Sequence, residues 1–197
     1  EKLSPIIVNT FLQGSYRRAT AIRPRLGKRS DVDIIVVTRL SRDEYSNPQD
    51  AQEIFLPFLE QFYEGKYLVQ GRSFGIELSY VDLDLVITSA PSESEIGILQ
   101  SQGLTSDDDI EDFDEMLAGT KGFITERSLF WLRALKEQAQ WKSEPLYIPD
   151  IESQQWQRTH PLEQIRWTWD KNARCNKHYV NVVKALKWWR RITYSEP

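Results

Sequence analysis

The sequence has 197 residues, of which 40% are hydrophobic and 27% are charged. A chain of this length buries a core without disulfides, and its single cysteine, Cys175, has no internal partner. The formal net charge of −4 disfavours a protein that coats a duplex, because phosphate contacts need a basic surface. No apolar run approaches the roughly 20 residues that cross a bilayer. We therefore expect a cytoplasmic protein that uses no membrane and requires no duplex nucleic acid.

A polar, basic loop leads into the first clear strand. The loop QGSYRRATAIRPRLGKRS contains two glycines, and DVDIIVVT after it is a β-branched run typical of a buried strand. The basic side chains of the loop either neutralise bound phosphates or keep a flexible loop soluble. They are Arg17, Arg18, Arg23, Arg25, Lys28 and Arg29.

The next segments predict a helix followed by further strands. NPQDAQEIFLPFLEQFYEG has apolar residues at helical spacing, with Asn47 and Pro48 at the predicted start and Gly65 at the end. In KYLVQGRSFGIELSYVDLDLVIT the last strand alternates apolar residues with Asp82 and Asp84.

The second half of the sequence is predicted to be mainly helical. Residues 91–123 contain seven acids within SDDDIEDFDEM, which indicates a solvated loop, and ERSLFWLRALKEQAQWK after them is typical of a helix. EPLYIPDIESQQW is predicted to be a proline-marked connection. Residues 159–192 then indicate helix, break, helix. The apolar surface of the last helix is expected from Val180, Val183, Ala185, Leu186, Trp188 and Trp189.

The candidate chemistry lies where the basic loop meets the strand. Gly14 allows close approach of backbone N–H groups to a phosphate, and Ser15 adds a hydroxyl donor. Asp31 and Asp33 lie two residues apart on a strand, so both carboxylates are on one face. Because like charges so close repel each other, this pair favours a bound divalent cation.

A third acid from a neighbouring strand would complete a site for two metal ions. Asp82 and Asp84 share a face of their strand but lie about 6.6 Å apart, so only one of them is expected to be central. The alternative is that all these acids are surface residues on an edge strand. The similar motif Asp112–Asp114 lacks the β-branched run that follows Asp33.

In these segments the sequence resembles the CD-NTases, the bacterial nucleotidyltransferases similar to cyclic GMP-AMP synthase and oligoadenylate synthetase, of the polymerase-β-like superfamily. The resemblance rests on QGSYRRATAIRP with SDVDIIVV, on VDLDLVITSAP, and on THPLEQIRWTWDKNARCNKHYVNVVKALKWWRR. It implies a mixed α/β (α+β) fold, with a twisted mixed sheet backed by helices and the first helices of an α-helical lobe. It assigns residues 1–150 to the catalytic core and 151–197 to a connection and the start of that lobe, with the remainder absent.

The resemblance also implies roles for particular residues. Gln13, Gly14 and Ser15 would contact the triphosphate. Asp31, Asp33 and one of Asp82 and Asp84 would bind Mg²⁺, or Mn²⁺, with Asp84 preferred for its Asp-Leu-Val-Ile context. Lys184 and Lys187 match a position near the donor triphosphate, with Lys187 preferred, although two lysines at this spacing also fit a solvated helix face.

The implied reaction is attack of a ribose hydroxyl on the α-phosphate of a nucleoside triphosphate such as ATP. Repeated transfer would give a cyclic or linear oligonucleotide messenger for antiphage defence. A downstream effector would receive this messenger, and regulatory proteins would be further partners. Two alternatives stay open. One is a polymerase-β-like enzyme that acts on RNA, protein or a small molecule, and the other is a non-catalytic nucleotide-sensing module. A zinc site at His160 and His178 would lack sufficient ligands.

Overall fold

The computed structural model describes residues 3–25, 27–89, 91–93, 96 and 144–194. The acid-rich motif and the helix predicted over 126–142 lie outside the described residues. The described part is a mixed α+β arrangement of strands and helices, which confirms the predicted fold class. Within that part, no helix is long and apolar enough to cross a membrane.

A mixed five-stranded sheet forms the centre of the fold. Its strand order is β1-β2-β5-β4-β3; β2 and β5 run parallel, and the other neighbouring pairs are antiparallel. The strands are β1 (Ile7–Gln13), β2 (Ser30–Thr38), β3 (Tyr67–Val69), β4 (Phe74–Glu77) and β5 (Val81–Thr88).

Each face of the sheet covers a separate apolar core, because side chains alternate along a strand. On one face, Val36 and Ile87 belong to a cluster with residues of the helices that follow β2. On the other face, Ile35 and Val37 pack with Phe11 and Leu146. Since both faces of β2 are apolar beyond residue 33, the strand is fixed in the middle of the molecule.

The helix predicted behind Asn47 is two helices in the structure. After the single turn α1 (Gly14–Arg17), the chain forms α2 (Pro48–Glu53) and α3 (Leu56–Tyr63). The Asn47 side chain accepts a hydrogen bond from the backbone N–H of Gln49, as a helix N-cap does. The prediction of one continuous helix was wrong because Pro57, in the first turn of α3, has no N–H to continue the helical hydrogen bonds.

The proline-marked connection is also more regular than predicted. Strands β6 (Leu146–Asp150) and β7 (Gln155–Thr159) pair antiparallel and form a two-stranded sheet. This hairpin packs on the rest of the fold through Leu146, which is buried in the second core. It crosses residue 150, where the predicted division into core and connection lies, and that division stays a prediction.

Two helices complete the described chain, as the sequence predicted. They are α4 (Pro161–Arg174) and α5 (His178–Thr193). The break between them contains Asn176 and Lys177, which both have positive φ, at 50° and 64°. None of the residues of α5 is buried within the described structure, so its predicted apolar side chains lie at or near the surface.

The turn of the β6–β7 hairpin depends on one buried carboxylate. The Asp150 side chain is 2% exposed and accepts a hydrogen bond from Arg72 Nε at 2.7 Å. It also accepts hydrogen bonds from the backbone N–H groups of Glu152 and Ser153, both at 3.1 Å. The Ser153 N–H, followed by Arg72, lowers the pKa of Asp150, because these donors stabilise the ionised form.

We expect Asp150→Ala to lower the stability of the fold at neutral pH and to remove an acid-sensitive contribution. A carboxylate with a depressed pKa stabilises the fold above its unfolded pKa of about 3.9, and this contribution is lost as the pH falls through the lower folded pKa. Urea unfolding at pH 7 and near pH 3 measures the difference. The control is Asp43→Ala at an exposed position, and equal pH dependence of both variants would contradict the role given to Asp150.

Candidate active site

The acidic residues of two strands lie together because β2 and β5 are paired in register. Asp31 is the cross-strand neighbour of Asp82, and Asp33 is the cross-strand neighbour of Asp84. Directly paired residues point to the same face, so all four carboxylates lie on the face that carries Ile35 and the second core. They occupy the part of that face that precedes the apolar residues in both strands.

Two of these carboxylates are half-buried and electrostatically strained. Burial, followed by the charges of Asp33, Asp31 and Asp82, raises the pKa of Asp84. Burial is also the main cause of the raised pKa of Asp33, and Asp31 adds to it, whereas Arg18 and Lys187 oppose it. The arrangement is therefore unfavourable in the absence of a cation, as the sequence pattern suggested.

The Gly-Ser loop is built directly against Asp33. Strand β1 ends at Gln13, the cross-strand neighbour of Asp33, and Gly14 follows with a φ of +70°. A Cβ atom at Gly14 would lie 1.7 Å from Asp33 Oδ2. Only glycine allows the loop backbone to lie this close to the carboxylate.

Hydrogen bonds fix the loop in this position. Gly14 O accepts from the backbone N–H of Arg18 at 3.2 Å and from Arg18 Nε at 2.9 Å. Ser15 O accepts from the N–H groups of Thr20 and Ala21, both at 2.9 Å. Because these carbonyl groups are engaged within the loop, the turn keeps one orientation beside the acids.

A lysine from the last helix contacts the same loop. Lys187 Nζ donates a hydrogen bond to Thr20 O at 3.0 Å. Burial, followed by the positive charge of Arg18, lowers the pKa of Lys187, while Asp33 raises it. Lys187 thus lies within electrostatic range of the acids. Lys184 is in the same helix, but its side chain makes no hydrogen bond or ion pair with any part of the chain that the structure describes.

Asp82 and Asp84 differ in their partners. Arg29 Nε contacts Asp82 Oδ1 at 2.5 Å, and Arg29 Nη2 contacts Glu77 Oε2 at 2.9 Å. Asp82 is therefore held in an ion pair. The charges that act most strongly on Asp84 are all negative. This difference supports Asp84 as the third ligand, which stays a prediction.

The donor chemistry of the acidic face suits Mg²⁺ or Mn²⁺, which prefer hard oxygen ligands. Among the described residues, no three His, Cys, Asp or Glu side chains lie close enough together to form a metal site by themselves. Mg²⁺ is usually held by one or two carboxylates together with substrate phosphates and water, so a nucleotide would supply the remaining ligands. Asp33 and Asp84 are the carboxylates whose raised pKa a cation would reverse.

The structure thus brings most of the predicted site residues to one place. Gln13, Gly14 and Ser15 lie at the end of β1 beside Asp33, and Lys187 reaches the same loop. The sequence places Arg18 and Arg29 in a basic cluster, but it does not predict the separate contacts that the two residues make. The available signal was sequence position, since Arg18 follows the Gly-Ser turn and Arg29 directly precedes β2. Their contact partners, however, come close only in the folded chain.

The sheet, its acidic face and the adjoining loop define the polymerase-β-like nucleotidyltransferase fold. The fold is similar to that of a di-nucleotide cyclase from Vibrio cholerae, in a structure with ATP and GTP, with a TM-score of 0.61 and 14% sequence identity. The match covers 96% of this chain and 44% of the cyclase chain. The family model of the Second Messenger Oligonucleotide or Dinucleotide Synthetase (SMODS) domain matches residues 1–90.

Two curated relatives are considerably more similar in sequence. A probable cyclic AMP-AMP-GMP nucleotide synthase from Salmonella paratyphi B is 47% identical, and a cyclic AMP-AMP-GMP synthase from Enterobacter hormaechei is 48% identical. Each match covers 97% of this chain and 52% of the relative, so the chain spans about half the length of the curated relatives it matches. These matches confirm the resemblance to the CD-NTases that the sequence indicated.

We expect Gly14→Ala to destabilise the fold more than Gly27→Ala. Both glycines have positive φ, at +70° and +77°, so alanine costs about 1–2 kcal/mol of backbone strain at either position. Only at Gly14 would the new methyl group also collide with Asp33; at Gly27 it meets no atom within 4 Å. Urea unfolding of the two variants measures the difference. Equal losses of stability would contradict the close approach of the loop to Asp33.

Proposed function

We propose that this chain forms the catalytic part of a Mg²⁺-dependent nucleotidyltransferase that joins nucleoside triphosphates into an oligonucleotide second messenger. The observation that carries the proposal is the in-register pairing of β2 with β5, which sets Asp33 beside Asp84 and next to the Gly14 loop. Two relatives that are nearly half identical and are described as nucleotide synthases support the same reaction.

The charges of the site complement a triphosphate bound with a divalent cation. Asp31, Asp33 and Asp84 would bind the cations, and two cations at such a site activate the attacking hydroxyl and neutralise the leaving phosphates. Lys187 and Arg18, whose positive charges repel each other, would be stabilised by the phosphates. The Gly-Ser loop, beside Asp33, would orient the triphosphate through its backbone and through the Ser15 hydroxyl.

In the proposed transfer, these residues would hold two nucleotides so that a hydroxyl of one lies close to the α-phosphate of the other. The ribose hydroxyl of one nucleotide attacks the α-phosphate of another, the new P–O bond forms, and pyrophosphate leaves. The hydroxyl proton would pass to a nearby base, and an aspartate carboxylate of the acidic face is the proposed acceptor. Repetition of this step would give a linear product, and attack by the end of the same chain would close a ring.

ATP and GTP are the proposed substrates, and a cyclic AMP-AMP-GMP molecule is the proposed product. This choice rests on the two relatives, which are described as synthases of that product. We further propose that the enzyme acts in the cytoplasm, where both nucleotides are abundant, and that its product activates an effector in antiphage defence. Regulatory proteins would then control when synthesis begins.

The direct test is incubation of the protein, in its full natural length, with all four nucleoside triphosphates and Mg²⁺ or Mn²⁺. Mass spectrometry should detect a cyclic product that contains two AMP units and one GMP unit, together with pyrophosphate. A labelled nucleotide found only on added RNA, protein or a small molecule would instead support a different polymerase-β-like transferase. Nucleotide binding without any transfer would support a sensing module.

We expect Asp31→Asn, Asp33→Asn and Asp84→Asn each to reduce product formation at least a hundredfold, while the fold survives. For Asp33 and Asp84 the folded pKa is raised, so their ionisation destabilises the metal-free fold as the pH rises through that range. The Asp33→Asn and Asp84→Asn variants should therefore be at least as stable as the wild type at pH 7 without metal. Thermal unfolding in a chelator measures this, and full activity of any of the three variants would contradict its role.

We expect Lys187→Met to raise the KM for the donor nucleotide about tenfold, with a smaller effect on kcat. A charged hydrogen bond to a phosphate contributes about 1.5 kcal/mol or more, and this phosphate is already charged in the ground state. Lys184→Met removes the same charge one helical turn away and is the matched control, with an expected effect below twofold. Steady-state kinetics in both variants measure the difference. Equal KM values for the two variants would contradict a phosphate contact and would indicate that Lys187 belongs to a solvated helix face.

A further inference from the structure

The acidic face carries one more carboxylate than the proposed metal site uses. Its four aspartates form two cross-strand pairs, Asp31 with Asp82 and Asp33 with Asp84. Neighbouring strands are about 4.8 Å apart, and residues two apart on a strand are separated by about 6.6 Å. A cation that reached the Asp31–Asp82 pair would therefore lie several ångströms from one held between Asp33 and Asp84. The contacts around the two pairs therefore determine which pair binds a cation.

Arg29 contacts one of the two pairs, through Asp82. It directly precedes β2, and its guanidinium contacts Asp82 through Nε at 2.5 Å and Glu77 through Nη2 at 2.9 Å. Glu77 is the cross-strand neighbour of Asp82 on β4, so one guanidinium contacts two adjacent acids at the same end of the sheet. The planar guanidinium forms such two-armed contacts, which the single ammonium of lysine does not reproduce.

The ion pairs of Arg29 with Asp82 and Glu77 lie at a partly solvated position. The side chains of Arg29 and Asp82 are each 36% exposed, whereas that of Glu77 is 71% exposed. Asp82 is thus sufficiently accessible to bind a cation if it were free. The ion pair, rather than burial, is what keeps its carboxylate engaged.

We propose that Arg29 is a positioning residue that withholds Asp82 from the divalent cations and so restricts them to Asp31, Asp33 and Asp84. Arg29 would not touch the substrate. Its role is to neutralise the fourth carboxylate, which would otherwise compete as a ligand and hold a cation away from the triphosphate. The inference rests on the proposed function for its effect on catalysis, but its effect on metal binding is independent of it.

The test compares Arg29→Gln, Asp82→Asn and the double variant by two measurements. In Mn²⁺ titrations followed by electron paramagnetic resonance without nucleotide, Arg29→Gln should bind Mn²⁺ at least threefold more tightly or bind an additional ion. The double variant should return to the wild-type titration. In the synthesis assay, Arg29→Gln should lose at least tenfold in kcat, and the double variant should regain most of that loss.

Matched controls separate this role from general charge or folding effects. Lys28→Gln removes the same charge one residue earlier at an exposed position, and it should leave the Mn²⁺ titration and kcat unchanged. Arg29→Lys, which keeps the charge but loses the two-armed contact, should give an intermediate result. It also serves as the second variant if Arg29→Gln does not fold.

Three results would overturn the proposal. The first is an unchanged Mn²⁺ titration in both Arg29 variants. The second is a double variant whose titration remains that of Arg29→Gln. The third is loss of Mn²⁺ binding in Asp82→Asn alone, since Asp82 would then itself be a ligand. If the wild type makes no product from nucleoside triphosphates, the proposed function fails while the Mn²⁺ titrations still decide the role of Arg29.

Discussion

The register between β2 and β5 is the constraint on which both the core and the candidate site depend. The same pairing that sets Asp33 beside Asp84 also sets Ile35 beside Val86 in the second core. A slip of one residue in either strand would turn its acids towards the opposite face, where the first core contains Val36 and Ile87. Burial of unpaired carboxylates among those side chains would be very unfavourable. The hydrophobic residues therefore hold the acids in place, although they take no part in the chemistry.

Around this fixed pair, the surrounding charges are distributed unequally. Asp33 experiences the positive charges of Arg18 and Lys187, and Asp82 is paired with Arg29. The pKa of Asp84 is raised first by burial and then by the charges of the other acids. The site therefore has a side that lacks positive charge and a side where two positive groups repel each other. A triphosphate with its cations would compensate both, because the cations would lie at the acids and the phosphates at Lys187 and Arg18. Cations alone would leave the repulsion between Lys187 and Arg18, and a triphosphate alone would leave the repulsion among the acids.

Local signals were sufficient for the elements that form this centre, and they failed where distant partners decide the structure. The β-branched run after Asp33 and the alternation around Asp84 predicted β2 and β5, because burial on both faces is visible in the sequence itself. Pro57 was an available local signal for the break between α2 and α3, but the apolar spacing outweighed it. The β6–β7 hairpin has little alternation, and it is fixed by contacts with distant segments such as Gln52 Nε2 with Pro149 O. The contact of Arg29 with Asp82 likewise exists only once β2 and β5 have paired.

The contacts of α5 indicate that the proposed phosphate-binding side of the candidate site is not contained in the N-terminal segment. The matching family model ends at residue 90, and the catalytic core predicted from the sequence ends at residue 150. Yet the loop that follows Gly14 is held by α5 through Lys187 to Thr20 O, through Arg25 Nη2 to Arg191 O, and through Arg191 Nη1 to Arg23 O. These contacts join residues separated by more than 160 positions. Two of them use backbone carbonyl groups of the loop as acceptors, whereas the third uses the Arg25 side chain of the loop as the donor. A shift of α5 would therefore move both Lys187 and the loop relative to Asp33. This coupling makes the last helix a structural part of the candidate active site, although most of its length lies on the surface of the described structure.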